Sequence, residues 1–235
     1  MPLLVTALRH FLPLAALLSL AGAARAAGTD EAPWSGLHDG FHVPAFVGFP
    51  VVTSAAEAVV IFKNGSGFFV SADGDVLTNQ HVAQAVGPTG TIYRGYVEGR
   101  PTGTPLEAFV VRRVATDARA DLALYRASVP GPVPFLSLRD APPVVGEPVF
   151  MVSHPNQTSQ RVSFGHLLAA PSVRALHHDA ATSWGSSGAP VLDTKGAVVG
   201  VHSEWFTEGG EAWSVGIPSA YVARFVARAR TAGAR

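Results

Sequence analysis

The chain has 235 residues, 48% of them hydrophobic, with 17 Lys and Arg balanced by 17 Asp and Glu and no cysteine. The balanced charge excludes the strong basic field that attracts nucleic acid or anionic lipid. The absence of cysteine excludes disulfides, thiolate metal sites and a cysteine nucleophile, so stability must come from packing.

The first 26 residues have the pattern of a secretory signal peptide. Arg9 and His10 give a weakly cationic start, residues 11 to 20 are almost entirely apolar, and residues 24 to 26 read Ala-Arg-Ala, a small-x-small cleavage site. The apolar run is shorter than the about 18 residues that a membrane helix needs. We therefore expect an exported protein with no membrane span in the mature chain; an uncleaved anchor is the alternative.

The next part of the chain predicts an arm, a set of strands and a linker. Residues 27 to 56 are rich in Gly, Pro, Ala and Ser and predict an irregular arm. Residues 57 to 127 hold short β-branched and aromatic runs separated by turn signals, which predict strands in "AVVIFKN", "SGFFVSA", "VLTN", "TIYRGYVEG", "LEAFVVRRVA" and "LALYRA". Residues 128 to 147 are too rich in proline for a sheet interior and predict a linker.

Residues 148 to 235 predict a second set of strands and a closing helix. The strand patterns are "PVFMVSH", "SQRVSFGHLLA", "SVRALHHDA", "APVLDTKGAVVGVHSEW" and "EAWSVGI". Many short strands at hairpin spacing favour paired barrels or a sandwich over a doubly wound sheet. From Pro218 the period changes to that of an amphipathic helix, whose predicted apolar face is Ala220, Val222, Ala223, Val226 and Ala227.

The stretch "ATSWGSSGAPVL", residues 181 to 192, contains a candidate nucleophile. A serine hydroxyl needs a base, a group that orients the base, and donors for the oxyanion. Gly185 and Gly188 flank Ser187 and allow a sharp turn that directs the N–H groups of Gly185 and Ser187 to one point. The alternative is a polar hairpin turn. The α/β-hydrolase elbow is excluded, because Ala189 stands where that elbow has its second glycine.

A base and an orienting carboxylate can be placed in the first half of the chain. His81 stands at the start of a short apolar turn, and Asp121 precedes an alternating strand 40 residues later. A buried aspartate would hold the imidazole in the correct tautomer and stabilise its protonated form. Asp117 is assigned to a solvated turn. The remaining histidines with notable positions are interpreted as surface or core residues without a credible metal site, namely His154, His177 and His178.

The order histidine, aspartate, serine is one of three known orders of convergent catalytic triads. Residues 58 to 220 resemble bacterial trypsin-like serine proteases. "GSGFFVSADGDVLTNQHVA", "ADLALY" and "DAATSWGSSGAPVLDTKGAVVGVHS" resemble the histidine, aspartate and serine segments of the high-temperature-requirement (Htr) proteases, and "VGIPSAYVARFV" resembles their join to a C-terminal helix. The resemblance implies an all-β fold of two six-stranded antiparallel β-barrels with a C-terminal helix and the site between the barrels.

Two departures from that family affect the prediction. Ala189 replaces the family's usual glycine two places after the serine, and the peptide-binding C-terminal domain of the Htr proteases is missing from this sequence. The second departure speaks against oligomeric, chaperone-like behaviour. We therefore expect a monomer.

Two further residues resemble a specificity pair of bacterial glutamyl endopeptidases. Thr182 lies five residues before Ser187 and His202 lies fifteen after it, the offsets of the pair that contacts an acidic substrate side chain there. A hydroxyl and an imidazole N–H can both donate to a carboxylate. Alternatively, Thr182 is a strand residue, His202 is an ordinary residue of the pocket wall, and Glu204 occupies the pocket proposed for the substrate side chain. Ser203 is expected to hold Asp121 or the substrate backbone.

The sequence thus predicts a secreted serine endopeptidase that hydrolyses peptides or proteins through an acyl-enzyme; a preference for Glu or Asp at P1 is a further hypothesis. It predicts no cofactor, no metal and no nucleic acid partner. The alternative is a protease-fold protein that binds a peptide or partner without hydrolysis. A secreted esterase on the same fold is a more distant reading.

Overall fold

A computed structural model describes residues 50–94, 107–157, 160–208 and 211–233. The predicted signal peptide and most of the predicted arm lie outside these residues. The helices are α1 (Pro50–Ala58), α2 (Gln80–Val86) and α3 (Ser219–Gly233). The strands are β1 (Val59–Phe62), β2 (Gly65–Phe69), β3 (Asp75–Thr78), β4 (Thr89–Arg94), β5 (Glu107–Asp117), β6 (Leu122–Ala127), β7 (Pro148–Ser153), β8 (Arg161–His166), β9 (Leu176–His178), β10 (Pro190–Asp193), β11 (Val198–Glu208) and β12 (Glu211–Pro218).

The strands form two antiparallel six-stranded units. The first is a closed barrel in the order β1-β2-β3-β6-β5-β4. The second has the order β8-β7-β10-β11-β12-β9, and a bridge between Leu167 and His178 brings its two edges together. The predicted all-β architecture of two barrel-like units with a C-terminal helix is therefore confirmed.

Paired apolar residues in the strands of the first barrel serve two different cores. Successive side chains of a strand point to opposite faces. In β2, Phe69 packs inside the barrel while Phe68 packs toward the second sheet, and Val76 and Leu77 of β3 divide in the same way. Strands buried on both faces read as continuous apolar runs, which accounts for these sequence doublets.

The core between the two units also receives the C-terminal helix. Phe68 and Leu77 of the barrel share one buried cluster with Phe150 and Leu192 of the second sheet. The helix α3 contributes Val222, Phe225, Val226 and Ala229 to that cluster. The prediction of the apolar face of this helix is thus partly wrong. Ala220 and Ala227 are exposed, because the helix is oriented with Phe225 and Ala229 toward the core.

The segments that flank the barrels are only partly irregular. The sequence predicts an irregular arm up to residue 56, but residues 50–58 form α1, which begins at a proline and buries Val52 and Ala55 in the shared core. Between β6 and β7 the chain forms no strand, although Leu138 makes an isolated bridge to Val198. None of the described helices has the length and apolar character needed to cross a membrane.

Candidate active site

The helix α2 and the residue before β6 bring His81 and Asp121 into contact. His81 is the second residue of α2, and its Nδ1 lies 2.8 Å from Asp121 Oδ2. Its backbone N–H donates to Asp121 Oδ1 at 3.0 Å. The first N–H groups of a helix have no partner within the helix, so the carboxylate caps α2 while it orients the ring. With Nδ1–H donated to the carboxylate, Nε2 is left as the basic nitrogen.

Asp121 is held by a constrained backbone. Its φ is 53°, in the left-handed region that aspartate tolerates better than most residues. Its carbonyl oxygen accepts a 3.0 Å hydrogen bond from Asn79 Nδ2, the residue that precedes α2. Just upstream, Asp117 Oδ1 accepts the N–H groups of Arg119 and Ala120 and closes the turn that leads to Asp121. Asp117 therefore caps this turn. It is half-buried and so more enclosed than the solvated position that the sequence predicted for it.

The pKa values of the pair move in opposite directions. The hydrogen bond from the ring to Asp121 raises the pKa of His81, aided by the negative charges of Asp121 and Glu204 and opposed by burial. Burial alone would raise the pKa of Asp121. The hydrogen bonds from the His81 ring, the Ser203 hydroxyl and the His81 amide outweigh it and hold that pKa below its usual value. The pair is thus built to stabilise an imidazolium beside a carboxylate.

Ser203 connects Asp121 to Ser187. The Ser203 hydroxyl donates to Asp121 Oδ2 at 2.6 Å, and the Ser203 carbonyl oxygen accepts a 3.1 Å hydrogen bond from Ser187 Oγ. Among the described residues, the Ser187 hydroxyl makes this hydrogen bond and none to His81. The three predicted triad residues therefore come to one place through Ser203, with the serine hydroxyl turned toward β11.

The loop before Ser187 leaves two N–H groups without an acceptor in the described part of the chain, those of Gly185 and Ser187. The carbonyl of Trp184 accepts the N–H of Asn156 at 2.5 Å, and the carbonyl of Ser186 accepts the N–H of Ala189 at 3.0 Å. Because a trans peptide points its N–H opposite to its carbonyl, these two bonds fix the direction of both N–H groups. Gly185 has φ 92°, which a residue with a side chain rarely adopts.

Ser66, on β2, joins the two barrels directly behind this loop. Its buried hydroxyl donates to the Gly185 carbonyl at 2.8 Å and accepts the His154 N–H at 2.9 Å. Its backbone N–H donates to the Ser187 carbonyl at 2.8 Å. Ser66 could not be identified from the sequence, because a polar residue within an apolar strand does not indicate a partner 119 residues away.

Gly188 lies where β2 approaches the serine loop. Its φ is 86°, and a Cβ at this position would collide with the Ser66 carbonyl oxygen and Thr78 Oγ1. Its N–H donates to the His202 carbonyl at 2.9 Å. Glycine is therefore required here both by the backbone and by the space available.

Thr182 and His202 are not two free donors, because Thr182 contacts another hydroxyl and His202 is buried. Thr182 lies in a loop, and its Oγ1 is 2.9 Å from the Oγ of Ser214, a buried β12 residue that the sequence analysis did not single out. His202 is buried on β11, with its ring 5.5 Å from the ring of His178. Burial, with smaller effects from His178 and His81, lowers the pKa of His202 well below its usual value. Its ring is neutral at neutral pH.

His178 is a core histidine of an unusual kind. It is fully buried, and neither ring nitrogen has a hydrogen-bond partner among the described residues. Burial lowers its pKa to about 3, with a smaller effect from His177. The expectation of a core residue agrees with this position, but the ring is not satisfied by protein hydrogen bonds.

The chain matches a known protein family over most of its strands. The profile of the family described as "Trypsin-like peptidase domain" matches residues 65–201, which include His81, Asp121 and Ser187. This range runs from β2 to β11 and so covers most of both barrels.

Curated relatives are serine proteases of the Htr and DegP kind. "Serine protease HTRA2, mitochondrial" of Bos taurus is 33% identical over 182 residues, 72% of this chain and 37% of that protein. "Probable periplasmic serine endoprotease DegP-like" of Bartonella henselae is 32% identical over 154 residues, 62% of this chain and 29% of that protein. The chain thus spans about a third of the length of these relatives. The homology confirms the resemblance to Htr proteases and supports a serine endopeptidase.

A solved structure shares the fold. The serine endoprotease from Yersinia pestis matches with a TM-score of 0.63 and 24% identity, covering 76% of this chain and 65% of that one. At this identity the likeness concerns the fold alone, and it agrees with the two barrel-like units described above.

Proposed function

Since the chain belongs to the trypsin-like peptidase family, we propose that it is a serine endopeptidase with His81, Asp121 and Ser187 as its catalytic triad. The observation that carries the proposal is the chain of hydrogen bonds from His81 through Asp121 and Ser203 to Ser187. Three segments far apart in sequence meet there, which supports a triad that is completed when the Ser187 hydroxyl turns toward His81.

The first half of the reaction is acylation of Ser187. The hydroxyl turns from the Ser203 carbonyl toward His81 Nε2 by a rotation of the serine side chain between rotamers. His81 takes the proton while Oγ attacks the scissile carbonyl carbon. The N–H groups of Gly185 and Ser187 receive the negative oxygen that forms, and Asp121 stabilises the imidazolium.

Acylation is complete when His81 passes its proton to the leaving amine, which departs as the carbon–nitrogen bond breaks. The second half of the reaction releases the acyl group. Water then loses a proton to His81 and attacks the ester carbonyl, and Ser187 leaves with that proton restored. No group beyond the protein and water is needed to balance either half.

A substrate peptide has a strand edge to bind. Beyond His202, none of the described strands pairs with β11 on the side of β10, which ends its pairing at Val201. All the strand pairs of this sheet are antiparallel. A peptide added in the same sense runs toward Ser203 and delivers its carbonyl end to Ser187, so the residues before the scissile bond lie against Glu204 and Phe206.

We still propose a preference for Glu or Asp at P1, but with hydrogen bonds in place of a charged imidazole as its source. His202 is neutral, so attraction to a carboxylate would come from hydrogen bonds, with Thr182 and Ser214 offering hydroxyls 2.9 Å apart. Hydrogen bonds to a charged group are stronger than neutral ones. Peptide libraries should then show cleavage after Glu or Asp that His202→Ala weakens; equal cleavage after aliphatic residues would exclude the preference.

Export is proposed from two observations. The first 26 residues have the composition of a signal peptide. Relatives such as the Bartonella henselae protein are named as periplasmic. Sequencing the N-terminus of the protein recovered from the periplasm or medium should give a chain that starts near residue 27.

Labelling with a fluorophosphonate tests the hydrolytic proposal. The full chain should form a covalent adduct of one phosphonyl group on Ser187, and Ser187→Ala should abolish it. The exposed serine Ser128 provides a matched control, because Ser128→Ala should leave labelling intact. A folded wild-type chain that neither labels nor cleaves peptides, yet binds them, would instead support the non-hydrolytic reading.

A further inference from the structure

We propose that the groove beside Asp121 selects substrates with a Glu or Asp side chain two to four residues before the scissile bond. This inference deepens the proposed function and rests on it. The groove is an open cavity of about 470 Å³ that begins at Asp121 and Ser203. It therefore starts one hydrogen bond away from both His81 and Ser187.

The groove lies along the path that a bound peptide would take. Ser203, Glu204 and Phe206 of β11 line it, and these residues belong to the strand edge that has no described partner. A strand advances about 3.3 Å per residue, so Phe206 lies about 10 Å from Ser203 along the strand. That distance corresponds to the third or fourth residue of an antiparallel peptide counted back from Ser187.

The lining of the groove combines apolar side chains with charged ones. The rings of Phe206 and Trp213 stack with centroids 6.0 Å apart, and both residues line the groove. Arg119, from the turn before Asp121, and Arg174, from the segment before β9, contribute guanidinium groups from different parts of the chain. Both arginines are exposed, and neither forms an ion pair within the described residues.

One guanidinium group of the groove has no carboxylate of the lining free to bond with it. Asp121 keeps its negative charge, but its oxygens already accept from the His81 ring, the His81 amide and the Ser203 hydroxyl. Glu204 is the other carboxylate of the lining, so it can pair with one of the two guanidinium groups. His177 also lines the groove, but burial lowers its pKa, which favours its neutral form. A substrate carboxylate supplies acceptors for the other guanidinium group, and arginine recognises carboxylates with two parallel hydrogen bonds.

Quenched peptides test the inference in the full chain. One scissile sequence is kept, and Glu, Gln or Lys is placed at each of the four positions before the bond. Exposed ion pairs contribute little each, so we expect the ratio of kcat/KM for Glu over Gln to be about 3-fold to 10-fold at one position. Arg119→Gln and Arg174→Gln should each lower that ratio by about 2-fold to 5-fold, and Glu204→Gln should raise it.

The control is Arg112→Gln, which removes an exposed arginine on β5 outside the groove lining and should leave the ratio unchanged. The ratio should also fall as salt increases, since surface electrostatics are screened. A ratio within 2-fold of unity at all four positions, or one that neither groove arginine alters, would overturn the inference.

A binding measurement separates this inference from the proposed function. Fluorescent Glu and Gln peptides are titrated against the full chain carrying Ser187→Ala, and anisotropy reports binding without turnover. Tighter binding of the Glu peptide that depends on Arg119 or Arg174 supports the groove even if the wild-type chain cleaves nothing. Cleavage without any preference for Glu leaves the endopeptidase proposal intact and removes the groove's role.

Discussion

The hydroxyl of Tyr221 donates a 2.9 Å hydrogen bond to Asp117 Oδ2, which ties the C-terminal helix to the turn before Asp121. The other oxygen of the same carboxylate accepts the N–H groups of Arg119 and Ala120. A residue 104 positions later in the chain therefore supports the turn that presents the orienting carboxylate to His81. We infer that Tyr221 is a positioning residue for the site.

Tyr221→Phe should lower the free energy of unfolding and also impair catalysis. Loss of the hydrogen bond costs about 0.5–1.5 kcal/mol in urea unfolding, since the Asp117 carboxylate retains its backbone donors. If the turn loosens, kcat should fall by roughly 2-fold to 5-fold, about 0.4–1 kcal/mol in the barrier, at a temperature where the variant is fully folded. Arg228→Gln is the control. It also removes a contact to Asp117, but this contact is long, at 3.7 Å, and the Arg228 side chain is 60% exposed, so its loss should have little effect. Reduced stability with unchanged kcat and pH profile would leave Tyr221 a purely structural role.

The acid limb of the pH–rate profile should report His81. Protonated imidazole cannot accept the Ser187 proton, so kcat/KM falls as the pH drops through the His81 pKa, which the structure raises. Asp121→Asn removes the carboxylate that raises this pKa. The acid limb should then move to lower pH while kcat falls on the order of 10⁴-fold, because the imidazole loses its correct tautomer. An acid limb that does not move in this variant would show that another group controls it.

Glu204→Gln should move the acid limb of the pH–rate profile to lower pH, by a smaller amount than Asp121→Asn does. The Glu204 charge raises the pKa of His81 without a hydrogen bond to it, and it is the weakest of the causes. Because Glu204 is exposed, the difference between wild type and variant should shrink at high salt. The comparison requires pH–rate profiles at two ionic strengths with a neutral peptide. A difference that persists at high salt would indicate a structural change instead of a charge effect.

Ser66→Ala should destabilise the fold and weaken oxyanion stabilisation together. The substitution leaves the Gly185 carbonyl without its hydroxyl donor and the His154 N–H without its acceptor, in a fully buried position. Unsatisfied buried groups cost about 1–3 kcal/mol, which urea unfolding can measure. The Gly185–Ser186 peptide, which carries this carbonyl, lies between the two peptides that carry the proposed oxyanion N–H groups. If it loosens, both N–H groups should be less well oriented, so kcat should fall more than KM changes. An unfolding free energy within about 0.5 kcal/mol of wild type would contradict this account.

Much of the fold could be predicted from short-range patterns. Doublets such as Phe68-Phe69 and Val76-Leu77 indicate strands buried on both faces, and the barrels bury them as the pattern requires. The helix boundary at α3 followed from the change of period near Pro218. The helical face was harder to assign, since small alanines fit either the core or the surface, and Ala220 and Ala227 proved exposed.

The residues of the candidate site could likewise be predicted only in part from the sequence. His81, Asp121 and Ser187 could be selected because each stands in a distinctive local context, a turn, a strand start and a glycine loop. Ser66, Tyr221 and Asp117 could not be, because their role depends on hydrogen-bond partners far away in the chain. No periodicity records which distant carbonyl a hydroxyl will reach.

The sequence by itself determined the class of fold and the family, and it singled out the residues proposed for the chemistry, since apolar alternation and local motifs are properties of neighbouring residues. Only the tertiary structure decided that the Ser187 hydroxyl bonds to the Ser203 carbonyl, that His202 is buried and neutral, and that two arginines from separate segments border one groove. The physical reason is that burial, pKa and hydrogen-bond geometry depend on what packs around a side chain, and packing is a property of the whole chain.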